Sequence, residues 1–240
     1  MLRESFVPSL CVIAWILSLS GCGNAKQTDV NEVGSESVDE DVWENGKPKS
    51  RQIFLKFASG ESVRHGTQTE WFENGQKRLE TQYANGKLDG PLTEWFMDGQ
   101  KARAGAFRAG KETGTWTAWQ PTGAKYWEAE YVEGRIQGKK TYWRDGKVSV
   151  EEMYDKVGEL ISVTQWHSSG AKEQFGTFRG GKKHGIWTVW NKDGSIQHQG
   201  EWKDGLPWEG ECGVPLAGDA GSWAGLVKYE RYHLGQRQPP

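Results

Sequence analysis

The chain has 240 residues, with 30 basic and 32 acidic side chains and a net charge of −2. This balance argues against a protein that binds nucleic acid through bulk charge. Glycine (32 residues) and tryptophan (14 residues) are abundant, although the chain is hydrophilic as a whole. Such a composition predicts an all-β protein of many short strands and tight turns, with a thin core of large aromatic side chains.

Residues 1–21 have the pattern of a bacterial secretion signal. Arg3 precedes an apolar run from Phe6 to about Leu19, which is too short for a transmembrane helix. The run ends in Leu19-Ser20-Gly21-Cys22, which resembles the lipobox of bacterial lipoproteins. The resemblance implies cleavage before Cys22, acylation of its thiol and a lipid anchor in the cell envelope. A generic cleaved signal is the alternative.

Residues 22–42 then comprise the acylated Cys22 and an acidic segment. Residues 23–42 contain six acidic side chains, one lysine and no aromatic residue, which predicts a disordered tether. Gly23, where an Asp would retain a lipoprotein at the inner membrane, resembles an outer-membrane sorting pattern; which side the domain faces is left open. Once Cys11 is removed and Cys22 acylated, Cys212 is the last thiol, and it is predicted to be buried and inert.

From Trp43 onward the sequence repeats with a period of about 24 residues. Each unit carries a tryptophan, then a second aromatic residue, with glycines following both. The tryptophans are Trp71, Trp95, Trp119, Trp143, Trp166 and Trp190, and the second aromatic residues are Tyr83, Phe107, Tyr131, Tyr154, Phe178 and Trp202. A fixed period of this length predicts a solenoid or array of about six repeats.

Each unit is predicted to be a β-hairpin. In the first, a strand contains Trp71, Asn74-Gly75 is expected to form a two-residue type I′ turn, and Tyr83 lies on the returning strand. Asn85-Gly86 then turns the chain towards the closing Gly90. Consecutive hairpins predict an elongated antiparallel meander, with both aromatic rows stacked on one face.

The ends of the array are predicted to be irregular. Regular hairpins are expected over residues 66–210, preceded by a degenerate capping repeat over 43–65. Residues 211–240 are expected to form a C-terminal cap and tail. Such ends would cover the exposed edges of the sheet.

The spacing of these residues resembles the bacterial variant of the MORN (membrane occupation and recognition nexus) repeat. It is visible as Trp71…Gly75-Gln76-Lys77…Tyr83…Gly86-Lys87…Gly90. The resemblance covers about residues 43–210 and implies an elongated β-sheet array used for binding or scaffolding, without a reaction. Many bacterial proteins with this repeat are labelled YwqK-like antitoxins, a role that fits poorly with an exported chain.

Arrangements typical of an enzyme are not evident in the sequence. The five histidines, His65, His167, His184, His198 and His233, are scattered over different units without metal-ligand spacing. No glycine-rich phosphate loop precedes a helix. The sequence therefore predicts a protein that is not an enzyme and has no catalytic residues, cofactor or metal.

Two basic rows and three further tryptophans are candidates for a binding surface. Lys77, Lys101, Lys125 and Lys172 follow the first turn of their units, and Lys87, Lys111, Arg135 and Lys182 follow the second. Intervening glutamates favour a role in solubility over anion recognition. Trp116, Trp127 and Trp187 lie outside the main rows, either as an exposed contact patch or packed against a second face.

Together these features predict a non-catalytic, envelope-anchored repeat lipoprotein that acts as a protein-interaction scaffold. The alternative is a ligand-binding module for cell-wall glycan or lipid headgroups. In either case the chain is expected to attach to the membrane through the lipid on Cys22 and not to bind nucleic acid.

Overall fold

The computed structural model describes residues 33–207, which form one antiparallel sheet of 15 strands in chain order. The strands are β1 (Val33–Val42), β2 (Pro48–Phe57), β3 (Ser62–Trp71), β4 (Lys77–Ala84), β5 (Lys87–Trp95), β6 (Lys101–Arg108), β7 (Lys111–Trp119), β8 (Lys125–Val132), β9 (Arg135–Arg144), β10 (Lys147–Tyr154), β11 (Leu160–Trp166), β12 (Lys172–Arg179), β13 (Lys182–Trp190), β14 (Ile196–Lys203) and β15 (Leu206–Pro207). The predicted all-β hairpin meander is confirmed. This range contains no helix long and apolar enough to cross a membrane.

Turns of the first kind are wider than the sequence predicted. After β3, the Phe72 amide donates to the Gln76 carbonyl (2.8 Å) and the Gly75 amide donates to the Phe72 carbonyl (2.8 Å). Gly75 has a φ of 91°, whereas Asn74 is not in the left-handed region. The predicted type I′ turn at Asn74-Gly75 is therefore wrong. Asn74 instead accepts the Gln76 amide through Oδ1 (2.9 Å), an Asx turn that precedes a left-handed glycine.

Turns of the second kind are two-residue turns, except in the fourth unit, where Asp155 and Gly158 belong to a wide turn. Asn85 and Gly86 have φ values of 49° and 78°, as a type I′ turn requires, and Ala84 pairs with Lys87 across it. The fourth unit uses this tight turn where the others have a wide one, with Asp145 at 52° and Gly146 at 74°. This difference explains why its glycine comes one residue early.

The sheet has two faces, which we call inner and outer. Trp116 faces Ala129 across β7 and β8 on the inner face, and the adjacent pair, Thr117 and Glu128, lies on the outer face. The most buried apolar side chains belong to the inner face. They are Trp116, Trp187, Ala129, Leu92 and Ala118. The core is thus one thin layer on one side of the sheet.

The two aromatic rows lie on opposite faces, so the prediction of a shared face is wrong. Tyr83 pairs with Gly66, five residues before Trp71 on β3. An odd offset places Trp71 and Tyr83 on opposite sides of the sheet. The row of Trp71 is on the outer face and the row of Tyr83 is on the inner face. Outside the fourth unit, the first row lies beside the wide turns and the second beside the tight turns. The inner row contributes to the core through ring contacts such as Phe107 with Trp116, 5.1 Å between centroids.

The N-terminal strand corrects the predicted disordered tether. Residues 33–42 form β1, which pairs with β2 along its length. Asp41 lies 3.0 Å from Lys49 and Glu40 lies 3.0 Å from Arg51, so basic residues of β2 offset the acidic charge. The Lys49 ammonium also lowers the pKa of Asp41. The signal peptide, Cys22, Cys212 and the predicted C-terminal cap lie outside the described residues.

Candidate binding surface

The outer face carries a Thr-x-Trp sequence in every unit. The six threonines are Thr69, Thr93, Thr117, Thr141, Thr164 and Thr188, each two residues before a row tryptophan. An even offset along a strand places each threonine beside its tryptophan on the same face. The row tryptophans are half-buried, which leaves part of each indole accessible. Sequence reasoning missed the threonine row, although its period is the same as that of the tryptophans.

The first lysine row lies on this same face. The Nζ atom of Lys77 is 5.9 Å from the ring centroid of Trp95, that of Lys125 is 5.3 Å from Trp143, and that of Lys172 is 6.0 Å from Trp190. In each pair, the lysine belongs to the unit before that of the tryptophan. Ammonium groups at this distance from an indole face are in cation–π contact. Lysines of the first row therefore lie over every second row tryptophan.

Carboxylates pair with two of the four lysines in this row. Lys77 is paired with Glu80, and the Lys125 ammonium lies 2.5 Å from the Glu128 carboxylate. The Thr117 hydroxyl donates to the same Glu128 carboxylate at 3.2 Å. Each lysine–glutamate pair therefore offers both hydrogen-bond donors and acceptors beside an indole. We use the name outer ladder for the residues of this surface. They are the row tryptophans, the Thr-x-Trp threonines, the first lysine row and the paired Glu80 and Glu128.

The predicted contact patch at Trp116 and Trp187 is wrong, because each residue is 2% exposed. The indole of Trp116 rests on Gly105, where a Cβ atom would lie 2.1 Å from Cδ2. Its Nε1–H donates to the Ala106 carbonyl at 3.2 Å, and the Arg103 guanidinium covers the ring at 5.2 Å. Trp116 is therefore part of the core, as the alternative interpretation held.

Trp187 repeats this arrangement three units later. Its indole rests on Gly176, and its Nε1–H donates to the Thr177 carbonyl at 3.0 Å. The Lys183 ammonium lies 4.3 Å from this ring and 4.7 Å from that of Trp202. Burial among these groups lowers the pKa of Lys183 to about 8.

Trp127, the third off-row tryptophan, is half-buried on the inner face opposite Ala118. The Lys140 ammonium lies 5.5 Å from its ring. The structure thus separates the two groups of candidate residues. Trp116, Trp127 and Trp187 lie on the inner face, and the lysine row of Lys77, Lys101, Lys125 and Lys172 lies on the outer face.

Groups suited to metal chemistry are not assembled in the described part of the chain. Within residues 33–207, no three or more His, Cys, Asp or Glu side chains are arranged to hold a metal ion. Four of the histidines fall in this range, on different strands or turns. One of them, His167, contacts the Trp190 carbonyl through Nε2 at 3.0 Å, which joins neighbouring wide turns.

Residues 64–85 and 183–204 match the MORN repeat variant. At these two places the chain carries MORN repeats. The matches cover the β3–β4 and β13–β14 hairpins, near the two ends of the described sheet. MORN repeats are generally involved in protein or membrane binding.

Other comparisons add little to this result. No curated protein is significantly similar to the chain in sequence. A crystal structure of a protein of unknown function from Bacteroides fragilis covers 70% of this chain and 92% of its own, at 9% identity. Its TM-score of 0.16 is too low to carry an argument about fold or function.

Proposed function

We propose that the chain is a non-catalytic binding scaffold of the bacterial cell envelope, anchored by a lipid on Cys22, and that the outer ladder is its binding surface. The observation that carries the proposal is the row of half-buried tryptophans beside lysines on one face of the MORN array. The anchor is supported by the resemblance of Leu19-Ser20-Gly21-Cys22 to a lipobox.

The outer face suits binding better than the inner face. On the inner face, Trp116 and Trp187 are only 2% exposed, and cationic side chains lie against their rings. The row tryptophans of the outer face are instead half-buried. Since residues 33–207 form one sheet, no second layer from this range covers the outer ladder. Partly exposed tryptophans are side chains that contribute strongly when a partner buries them.

A protein partner was expected to contact Trp116 and Trp187, and burial excludes that contact. A protein-interaction scaffold would therefore use the outer ladder. The ligand-binding alternative is favoured by one observation, the repetition of the Thr-x-Trp sequence in all six units. A protein contact concentrates its energy in a few central residues, whereas this ladder is spread evenly along the array.

The binding surface is tested by adding purified protein to isolated envelopes and measuring how much sediments with them. The protein carries Cys22→Ser, so that a lipid does not anchor it. Trp119 and Trp127 are a matched pair, because they lie on adjacent strands but on opposite faces. We expect Trp119→Ala combined with Trp71→Ala to reduce sedimentation and Trp127→Ala to leave it unchanged. Equal losses would contradict the proposal.

The anchor is tested separately by fractionating cells that express the full chain. We expect the unmodified protein in the membrane fraction and the Cys22→Ser variant in the soluble fraction. Metabolic labelling with a fatty acid should mark the former and not the latter. A Cys22→Ser variant that stays in the membrane fraction to the same extent would refute lipid anchoring.

A further inference from the structure

We propose that the ligand of the outer ladder is a linear, β-1,4-linked glycan, whose sugar rings stack on alternate row tryptophans: Trp71, Trp119 and Trp166. This inference rests on the proposed function, because it names the ligand class of the same surface. It is argued from the spacing of the ladder, the accessibility of its rings and the polar groups beside them.

Spacing is the first argument. Row tryptophans recur every second strand, so neighbours are about 10 Å apart across the sheet. An extended β-1,4-linked chain turns each sugar by half a revolution, so alternate rings present the same face. One disaccharide of such a chain is about as long as one repeat. A glycan can therefore offer an equivalent ring face to each unit, and rotation about its linkages lets it follow the sheet twist.

Ring accessibility is the second argument. Lysines lie over Trp95, Trp143 and Trp190. Within residues 33–207, no cation–π contact involves the intervening Trp71, Trp119 or Trp166, which are half-buried. The ladder thus alternates indoles with and without a covering ammonium group. The uncovered indoles provide flat apolar platforms for the C–H face of a sugar.

The polar groups beside the platforms suit hydroxyl groups. A sugar hydroxyl both donates and accepts hydrogen bonds, and the Lys125–Glu128 pair beside Trp119 and Thr117 supplies both partners. Attraction to an anionic bilayer comes from basic residues near its surface, and glutamates offset the charge of Lys77 and Lys125. The composition of the ladder therefore favours a glycan over a lipid surface.

The test is titration of the full-length protein, in mild detergent, with chitohexaose and cellohexaose by isothermal calorimetry. We expect saturable binding to at least one hexaose, weaker binding of its trimer, and little binding of the α-1,4-linked maltohexaose. Trp71→Ala combined with Trp119→Ala should weaken binding about tenfold or more, as truncation of stacked aromatic residues does. Trp127→Ala is the control, and circular dichroism confirms that each variant is folded.

Several results would overturn the glycan inference. These are no binding of either hexaose, equal binding by the double variant, or binding to phosphatidylglycerol vesicles in place of the hexaoses. If no hexaose binds but the double variant still sediments less with envelopes, the proposed binding surface stands and the identification of the ligand as a glycan is wrong. If the Trp127→Ala variant alone loses sedimentation, the proposed surface itself is wrong.

Discussion

Trp116→Ala should be among the most destabilising single substitutions in the array. The side chain is 2% exposed, and burying a tryptophan removes about 150–250 Å² from water. At about 25 cal/mol per Å², this area corresponds to about 4–6 kcal/mol, close to the 3–5 kcal/mol typical of Trp→Ala in cores. The substitution also removes the Nε1–H that donates to the Ala106 carbonyl. We therefore expect a loss of about 4 kcal/mol in the free energy of unfolding.

Trp119→Ala is the matched control, three residues along the same strand but on the outer face. Because Trp119 is half-buried, we expect its loss to cost about 1–2 kcal/mol. Urea unfolding followed by circular dichroism measures both, and Trp116→Ala should lower the midpoint by roughly 1.5–2 M. Equal shifts for the two variants would refute the division into a packed inner face and an accessible outer face.

Three further predictions test local features of the sheet. Gly105→Ala should cost about 1–3 kcal/mol in urea unfolding, because the added Cβ meets the Trp116 indole, and Trp116→Leu in the same chain should recover part of the loss. Ala109→Gly in the turn after β6 should raise stability by about 1 kcal/mol, since Ala109 has a φ of 51°, whereas Ala106→Gly within β6 should lower it. The pKa of Lys183 is lowered to about 8 from 10.5, so the unfolded chain binds more protons between these values and stability gains a contribution as pH rises from 8 to 10.5. The Lys183→Gln variant lacks this titration, so its free energy of unfolding should not gain this contribution between pH 8 and 10.5. Identical pH profiles of stability for the two proteins would contradict the lowered pKa.

The repeat and the hairpin architecture are predictable from the sequence because turns impose strict demands on residue type. Gly86 and its counterparts occupy left-handed positions that recur with the period, and the alternation of strands follows. The choice between two turn types is less visible. At Asn74 the side chain stabilises a wide turn, whereas Asn85 itself adopts a left-handed conformation.

The prediction that both aromatic rows share one face was wrong because a common period determines only the spacing of the rows. It does not determine on which face of the sheet each row lies. The side follows from register, and Tyr83 opposite Gly66 lies an odd number of residues from Trp71. Burial of Trp116 depends on a second strand, where Gly105 leaves room for the indole. A glycine eleven residues before both Trp116 and Trp187 is the signal in the sequence.

Strand β1 was missed because its acidic composition is typical of disordered segments. The composition of the acidic segment does not reveal that Lys49 and Arg51 on the neighbouring strand β2 pair with its carboxylates. Likewise, the lysine row was predicted to favour solubility, and its contacts with Trp95, Trp143 and Trp190 depend on pairing between units.

The central claim, that the outer ladder is the binding surface, is tested most directly by hydroxyl-radical footprinting of the protein with and without purified envelopes. Oxidation of each tryptophan is measured by mass spectrometry. The account predicts that envelopes protect Trp71, Trp119 and Trp166 while the oxidation of Trp127 is unchanged. Protection confined to Trp127 and the rest of the inner face would contradict it.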